Sequence, residues 1–172
     1  KKNLKIVRSK FKIKSNRIFF VKQFHTNKFI FLSKNSTIKN QSIRADAIIC
    51  EKRKIPIGIL TADCVPVLIY DNSRKLIAAI HAGWRGAYKG IIRKVIQKMI
   101  EKKCTPENMT VAIGPCISKK NYKIKKEFKI RFLKKDKKNI HFFNIKNKKI
   151  YFDLANYVKK QVKLNKIKNI DQ

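Results

Sequence analysis

Residues 57–86, IGILTADCVPVLIYDNSRKLIAAIHAGWRG, place chemically capable side chains among short apolar runs of strand length. Ile57–Thr61 is the first run, Val65–Tyr70 the second and Leu76–Ile80 the third, with a turn signal at Asp71–Ser73 between the last two. Cys64 comes after the first run and His81 after the third, 17 residues apart. Strand ends on a rigid scaffold present reactive groups to a cleft. From Gly86 to Lys103 the apolar residues Ile91, Ile92, Val95, Ile96, Met99 and Ile100 recur with helical spacing, which predicts an amphipathic helix. If that helix starts just after GWRG, its free backbone N–H groups face the same turn as His81 and Arg85.

Outward from this stretch the same alternation continues. Residues 1–16 mix Lys with isolated apolar residues and read as an edge strand or an arm. Arg17–Val21 and Phe29–Leu32 read as strands, joined by KQFHTNK with Gln23 and His25. Ser33–Ser42 is turn-rich and reads as an exposed loop, and Ala45–Cys50 as another short apolar run in which Cys50 is a buried small hydrophobe. Met109–Ile113 reads as a strand closed by Gly114-Pro115, which puts Cys116 on the following turn. Ile117–Ile150 is strongly basic and reads as a solvated helix or loop. Phe128, Phe132 and Leu133 would give it a short apolar stripe, and His141 sits in a strand-like IHFF. Asp153 precedes Leu154, Val158 and Val162, four apart, and so reads as the N-cap of a last helix.

At 172 residues and 44% hydrophobic content the chain is long enough for one sizeable core, and one domain is expected. The formal charge of +34 suggests polyanionic partners. Only 8 of the 44 basic residues are Arg, however, whereas base readout and bidentate phosphate recognition favour the guanidinium fork. Residues 56–93 also carry just five basic side chains against Asp63 and Asp71. We therefore expect no specific nucleic-acid partner. The cysteines Cys50, Cys64, Cys104 and Cys116 form no C-x-x-C pair, and a chain of this size needs no disulfide staple. A reducing, cytoplasmic setting fits. No apolar run reaches membrane-spanning length, so no membrane partner is expected.

Taken together, Q-F-H at His25, T-A-D-C at Cys64, H-A-G-W-R-G at His81 and I-G-P-C at Cys116 resemble the family of multicopper polyphenol oxidoreductases, or YfiH-like purine nucleoside phosphorylases. LTADCVPVLIYD and HAGWRG are the specific parts, and the likeness weakens after Tyr122. The resemblance implies a single-domain α/β sandwich of mixed β-sheet with flanking helices over residues 1–172, without the N-terminal and C-terminal extensions usual in the family. It also implies a metal held by His25, Cys64 and His81. The family's Q-x-H-G motif has Thr26 here in place of glycine.

One thiolate and two imidazoles make a good Zn²⁺ set, with Cu²⁺ the alternative, and three protein ligands leave a fourth tetrahedral position for water. The resemblance implies phosphorolysis of purine nucleosides to base and ribose 1-phosphate, and deamination of adenosine. The expected partners are thus a small nucleoside and phosphate. Cys64, His81, Asp63 and Arg85 are the candidate catalytic residues, with Asp63 orienting a ligand or relaying a proton. Arg85, Gln23 and Trp84 are the candidate substrate or phosphate contacts, Trp84 by stacking or by packing. Two other enzymes fit the same residues. In one, Cys64 is a nucleophile with His81 as its base, giving a thiol amidohydrolase acting on peptidoglycan precursors. The other is a copper-dependent polyphenol oxidase, for which a single site is few metals.

Overall fold

A computed structural model describes residues 2–13, 18–36 and 43–172. Its centre is a six-stranded mixed sheet of β1 (Phe29–Leu32), β2 (Ala47–Cys50), β3 (Val65–Asp71), β4 (Leu76–Ala82), β5 (Met109–Ile113) and β9 (Asn169–Asp171). Across the sheet the order is β1-β2-β4-β3-β5-β9. β1 and β2 run parallel, as do β5 and β9, while β2–β4, β4–β3 and β3–β5 are antiparallel. The β3–β4 pair is a hairpin whose turn is fastened by Asp71, the Oδ1 of which accepts from Ser73 Oγ and the Arg74 N–H.

One face of this sheet is covered by α3 (Ile91–Glu101) and α5 (Leu154–Leu164). Of the expected stripe, Ile91, Ile92, Val95, Ile96 and Met99 are fully buried against Ala47, Ile49, Val65, Val67, Ile69, Ala78 and Ile80, while Ile100 lies on the solvent side of the helix and is exposed. Ile48 and Cys50 point to the opposite face, where Phe19, Val21, Leu32 and Ala45 complete a smaller core. This alternation within β2 leaves all four of its residues buried. A second sheet, β6 (Lys123–Ile124), β8 (Lys149–Phe152) and β7 (Phe143–Lys146), joins α4 (Lys126–Lys135) at one end. Packed aromatic rings tie it to the main body: Phe132 stacks on Phe128 and meets Phe152, Tyr88 and Tyr157 at steeper angles. Asp153 caps α5 by accepting the Asn156 N–H at 3.0 Å. Among the described residues no helix is long and apolar enough to cross a membrane.

The architecture is the expected mixed α/β sandwich, with five local differences. Residues 2–10 form a helix, α1 (Lys2–Lys10), not an edge strand. Leu4, Val7 and Phe11 are spaced three and four apart and line one cavity of about 480 Å³ with Phe20 and Ile57. The RIFFV and IGILT runs are not ladder strands, since they meet each other in a single parallel bridge between Phe19 and Ile57. His141 lies in a 3-10 turn, Lys137–Phe142, instead of a strand. His81 belongs to β4 itself, one residue before the strand's end.

The fifth difference bears on the site. The helix after HAGWRG is broken: α2 (Trp84–Tyr88) is little more than one turn, and Gly90, at φ 80, starts α3. A left-handed φ of that size is easy only for glycine. The long helix therefore does not aim its N–H groups at Arg85, which sits inside α2. Of the Ser33–Ser42 loop, residues 33–36 contain a turn, while 37–42, residues 14–16 and Arg17 lie outside the described residues.

Candidate metal centre

Three segments far apart in sequence converge at one end of the main sheet. His25 comes from the loop before β1, Cys64 from the residue before β3 and His81 from the end of β4. Their ligand atoms all lie within 4.8 Å of one another, and among the described residues they form the one cluster of this kind able to hold a metal. The two imidazoles meet edge to face, ring centroids 4.8 Å apart. His81 is buried, Cys64 half-buried and His25 exposed, so the cluster is anchored on the core side and open on the other.

The cluster is built around Asp46, which sequence reading did not single out. This residue is fully buried immediately before β2. Its Oδ1 accepts from His81 Nδ1 at 2.9 Å and from the His25 N–H at 2.8 Å. The Phe24 N–H lies 3.1 Å from the same oxygen. Oδ2 accepts from the Thr26 N–H at 2.6 Å and from Thr26 Oγ1 at 2.7 Å. One carboxylate thus folds the Q-F-H-T loop around itself and fixes the ring of His81. Because an ionised carboxylate only accepts, His81 Nδ1 carries the hydrogen and Nε2 is left for a metal. A signal was present in the sequence: a single acidic residue at the head of an otherwise apolar strand must be paired to be buried.

The electrostatics follow from this arrangement. Burial alone would raise the Asp46 pKa, but its bonds to His81, Thr26 and His25 outweigh that and bring it down to about 2. Burial alone would lower His81, but Asp46 and the adjacent Cys64 lift it to about 9. His25 shifts the other way. Burial, His81 and Arg85 hold it below its ordinary value in spite of Asp46, so it is neutral and ready to ligate at pH 7.

Backbone shape completes the cradle. Gly83 lies where a Cβ would come within 2.8 Å of His25 Cδ2 and 2.9 Å of Cys64 Sγ, so only glycine leaves the three donors their space. His25 (φ 57) and Asp63 (φ 76) both take left-handed backbone, which aims the residues on either side of the cluster. The residue after His25 needs no positive φ, which explains how Thr26 replaces glycine there and adds a hydroxyl bond to Asp46. The donor set and the space reserved by Gly83 fit a metal ion.

The other candidates fall around the cluster in different ways. Gln23 uses both ends of its amide on Leu60, donating to its carbonyl at 2.6 Å and accepting its N–H at 2.8 Å, and so pins the 57–60 segment to the His25 loop. Asp63 is exposed beside Cys64, and its carbonyl accepts the Ile117 N–H at 3.0 Å. That bond brings Cys116 near Cys64, and burial, with Asp153 and Cys64, pushes the Cys116 thiol up. Arg85 is exposed close enough to His25 to depress it. Trp84 packs on Phe128 at 4.9 Å. Sequence reading also missed Tyr122. Burial, with Cys64 and Asp63, pushes its phenol up to about 12, so it keeps its proton beside the site.

The family model described as multi-copper polyphenol oxidoreductase laccase matches residues 1–172. A purine nucleoside phosphorylase of Rickettsia conorii is 32% identical over 159 residues, covering 91% of this chain and 64% of that protein. A purine nucleoside phosphorylase of Aquifex aeolicus is 32% identical over 167 residues, 96% of this chain and 74% of its own. The chain thus spans about two thirds of the length of such relatives. Among solved structures, the Bacillus licheniformis protein YfiH superposes with a TM-score of 0.86 at 24% identity, over 99% of this chain and 68% of that one. A Neisseria meningitidis protein of the DUF152 family gives 0.81 at 24% identity, over 98% of this chain and 66% of its own. Matched from end to end and carrying the His25, Cys64 and His81 cluster, the chain belongs to the multi-copper polyphenol oxidoreductase laccase family.

Proposed function

We propose that this site is a zinc-dependent purine nucleoside phosphorylase centre. Its substrates would be adenosine, inosine, guanosine and methylthioadenosine, its products the free base and the (methylthio)ribose 1-phosphate, and it would also deaminate adenosine to inosine. The observation that carries the reading is the cluster itself: two imidazoles and a thiol on an Asp46 anchor, open to solvent on the His25 side. The relatives named as purine nucleoside phosphorylases support the substrate class. When bound, zinc supplies Lewis acidity and an activated water.

The chain's own residues carry the rest. His81 is held by Asp46 through Nδ1, which leaves Nε2 free to hold a metal, and His25 would complete the set from the solvent side. Arg85, exposed and without an ion pair among the described residues, holds inorganic phosphate. In phosphorolysis a phosphate oxygen bonds to C1′ as the C1′–N9 bond breaks. The electron pair leaves with the purine, which then takes up a proton. Tyr122 keeps its phenolic hydrogen and is placed to donate, and Asp63 stands on the exposed rim to accept or relay a proton. The free thiols of Cys50, Cys64, Cys104 and Cys116 suit a reducing compartment.

Chromatography of adenosine, adenine and inosine at several phosphate concentrations tests the proposal. Base release should require inorganic phosphate and yield ribose 1-phosphate, while inosine should form without it. Arg85→Ala should raise the phosphate requirement roughly ten-fold or more, as loss of a charge-assisted contact of about 1.5–3 kcal/mol implies, with deamination falling much less. Equal loss of both activities would assign Arg85 to the fold or the purine, and free ribose as product would make the enzyme a hydrolase. One observation favours a second reading. Cys64, His81 and Asp46 are aligned as a thiol, an imidazole and an orienting carboxylate, the arrangement of a cysteine hydrolase. Full activity of metal-free protein on an amide substrate would favour it.

A further inference from the structure

Arg85 is not the sole guanidinium near the cluster. Trp84, the chain's single tryptophan, is half-buried in α2, and two guanidiniums lie within 6 Å of its ring centroid. Arg85 of α2 lies 5.1 Å from the ring centroid and Arg131 of α4 lies 5.7 Å from it. Neither makes an ion pair among the described residues. The next cation on the same face of α4, Lys135, behaves differently: it sits over Tyr88 at 4.4 Å and donates to the Tyr88 carbonyl. Lys135 thus accounts for helix docking with its donor satisfied. Arg131 brings five N–H donors with no ion-pair partner among the described residues, as does Arg85, and an anion between the two would offset their like charges.

The arrangement also borders the metal centre. Phe128, three residues before Arg131 and on the same side of α4, packs on Trp84 at 4.9 Å and on Tyr122 at 6.4 Å. Tyr122 in turn feels the charges of Cys64, Asp63 and Arg85. On the α2 side, Gly83 immediately precedes Trp84 and lies so near the cluster that a Cβ there would meet both His25 and Cys64. With α2 too short to offer a helix-end anion site, side chains must supply the grip.

We propose that Arg131 is the second guanidinium of the phosphate site, so that inorganic phosphate is held between Arg85 on α2 and Arg131 on α4, beside the metal cluster. As a role in catalysis this rests on the phosphorylase reading above. As a binding site it can be measured without turnover, because Trp84 is the chain's built-in fluorophore. Purified protein is titrated with inorganic phosphate at ionic strength held constant with sodium chloride. Wild type should give a saturable change in tryptophan emission. Arg131→Ala, an exposed substitution whose fold is checked by circular dichroism, should raise the half-saturating phosphate concentration at least ten-fold. Arg131→Lys should recover only part of it, since a point charge lacks the fork. In phosphorolysis the KM for phosphate should rise in the same proportion while the KM for nucleoside stays put.

An unchanged half-saturation in Arg131→Ala, a wild type without a saturable response, or a nucleoside KM that moves in step with the phosphate KM would each overturn the assignment. The two ideas fail separately. Saturable, Arg131-dependent phosphate binding without ribose 1-phosphate formation would reject phosphorolysis and keep the site. Phosphorolysis with a normal phosphate KM in Arg131→Ala would reject the site and keep the reaction.

Discussion

Gly83→Ala should weaken metal binding at the cluster about 100-fold while leaving the fold in place. The backbone at Gly83 is extended, φ −68 and ψ 162, so alanine meets no conformational penalty there. The cost is local. A Cβ would sit 2.8 Å from His25 Cδ2 and 2.9 Å from Cys64 Sγ, closer than such atoms can approach, and neither residue can yield without moving a donor atom out of the cluster. His25, exposed on its loop, is the side chain free to swing aside, so the variant should fold with two donors where wild type has three. Metal affinity should fall on the order of 100-fold, the upper range for disturbing the surroundings of a metal site. Isothermal titration with Zn²⁺, beside a thermal melt of the metal-free forms, checks it. Wild-type affinity in Gly83→Ala would mean that the three side chains do not share an ion.

Asp46→Asn should be the most destabilising single change in the site. Asparagine keeps the shape, but its Nδ2 must face either the Thr26 N–H and Oγ1 or the donors now on Oδ1, so buried donors oppose each other. Breaking a buried charged pair in this way costs roughly 3–5 kcal/mol. The pH profile of the metal-free protein gives a sharper signature. His81, raised to about 9 from 6.5, contributes stability that is complete below pH 6.5 and is lost as pH rises through 9. Asp46, lowered to about 2 from 3.8, contributes stability present above pH 3.8 and lost as pH falls towards 2. Both shifts share the Asp46–His81 bond, so that part is counted once. Thermal melts of metal-free wild type should therefore decline on both sides of a plateau between about pH 4 and 6.5. In Asp46→Asn the decline from pH 6.5 to 9 should shrink, because His81 loses the carboxylate that holds its proton and keeps only Cys64 beside it. With zinc bound, His81 ligates through the nitrogen that would carry the second proton, so the alkaline decline should disappear from wild type.

The main sheet was legible wherever an apolar run was long enough to be a strand in its own right. Val65–Tyr70, Leu76–Ile80 and Met109–Ile113 each became a central or near-central strand. α3 and α5 were legible because their stripes repeat at helical spacing and, apart from Ile100, are buried. RIFFV and IGILT have strand composition yet make one bridge, since pairing depends on a neighbour's position and not on the run alone. The start of the helix after HAGWRG was misplaced because periodicity does not distinguish Gly86, buried inside α2, from Gly90, whose left-handed backbone makes the break. His25, Cys64 and His81 stood out by their motifs. Asp46 did not, because its role lies in five bonds to residues 20 to 35 positions away, which no local pattern records. Arg131 was hidden by its surroundings: among the lysines of residues 117–150 a single arginine reads as one more solvated charge.

Stepwise zinc titration of metal-free protein, with phosphate-dependent base release measured at each addition, tests the central claim most directly. Activity should start near zero, rise linearly and break at one zinc per chain, the capacity of the His25, Cys64 and His81 cluster. Full activity before any metal is added, or a break at three or more ions per chain, would contradict it.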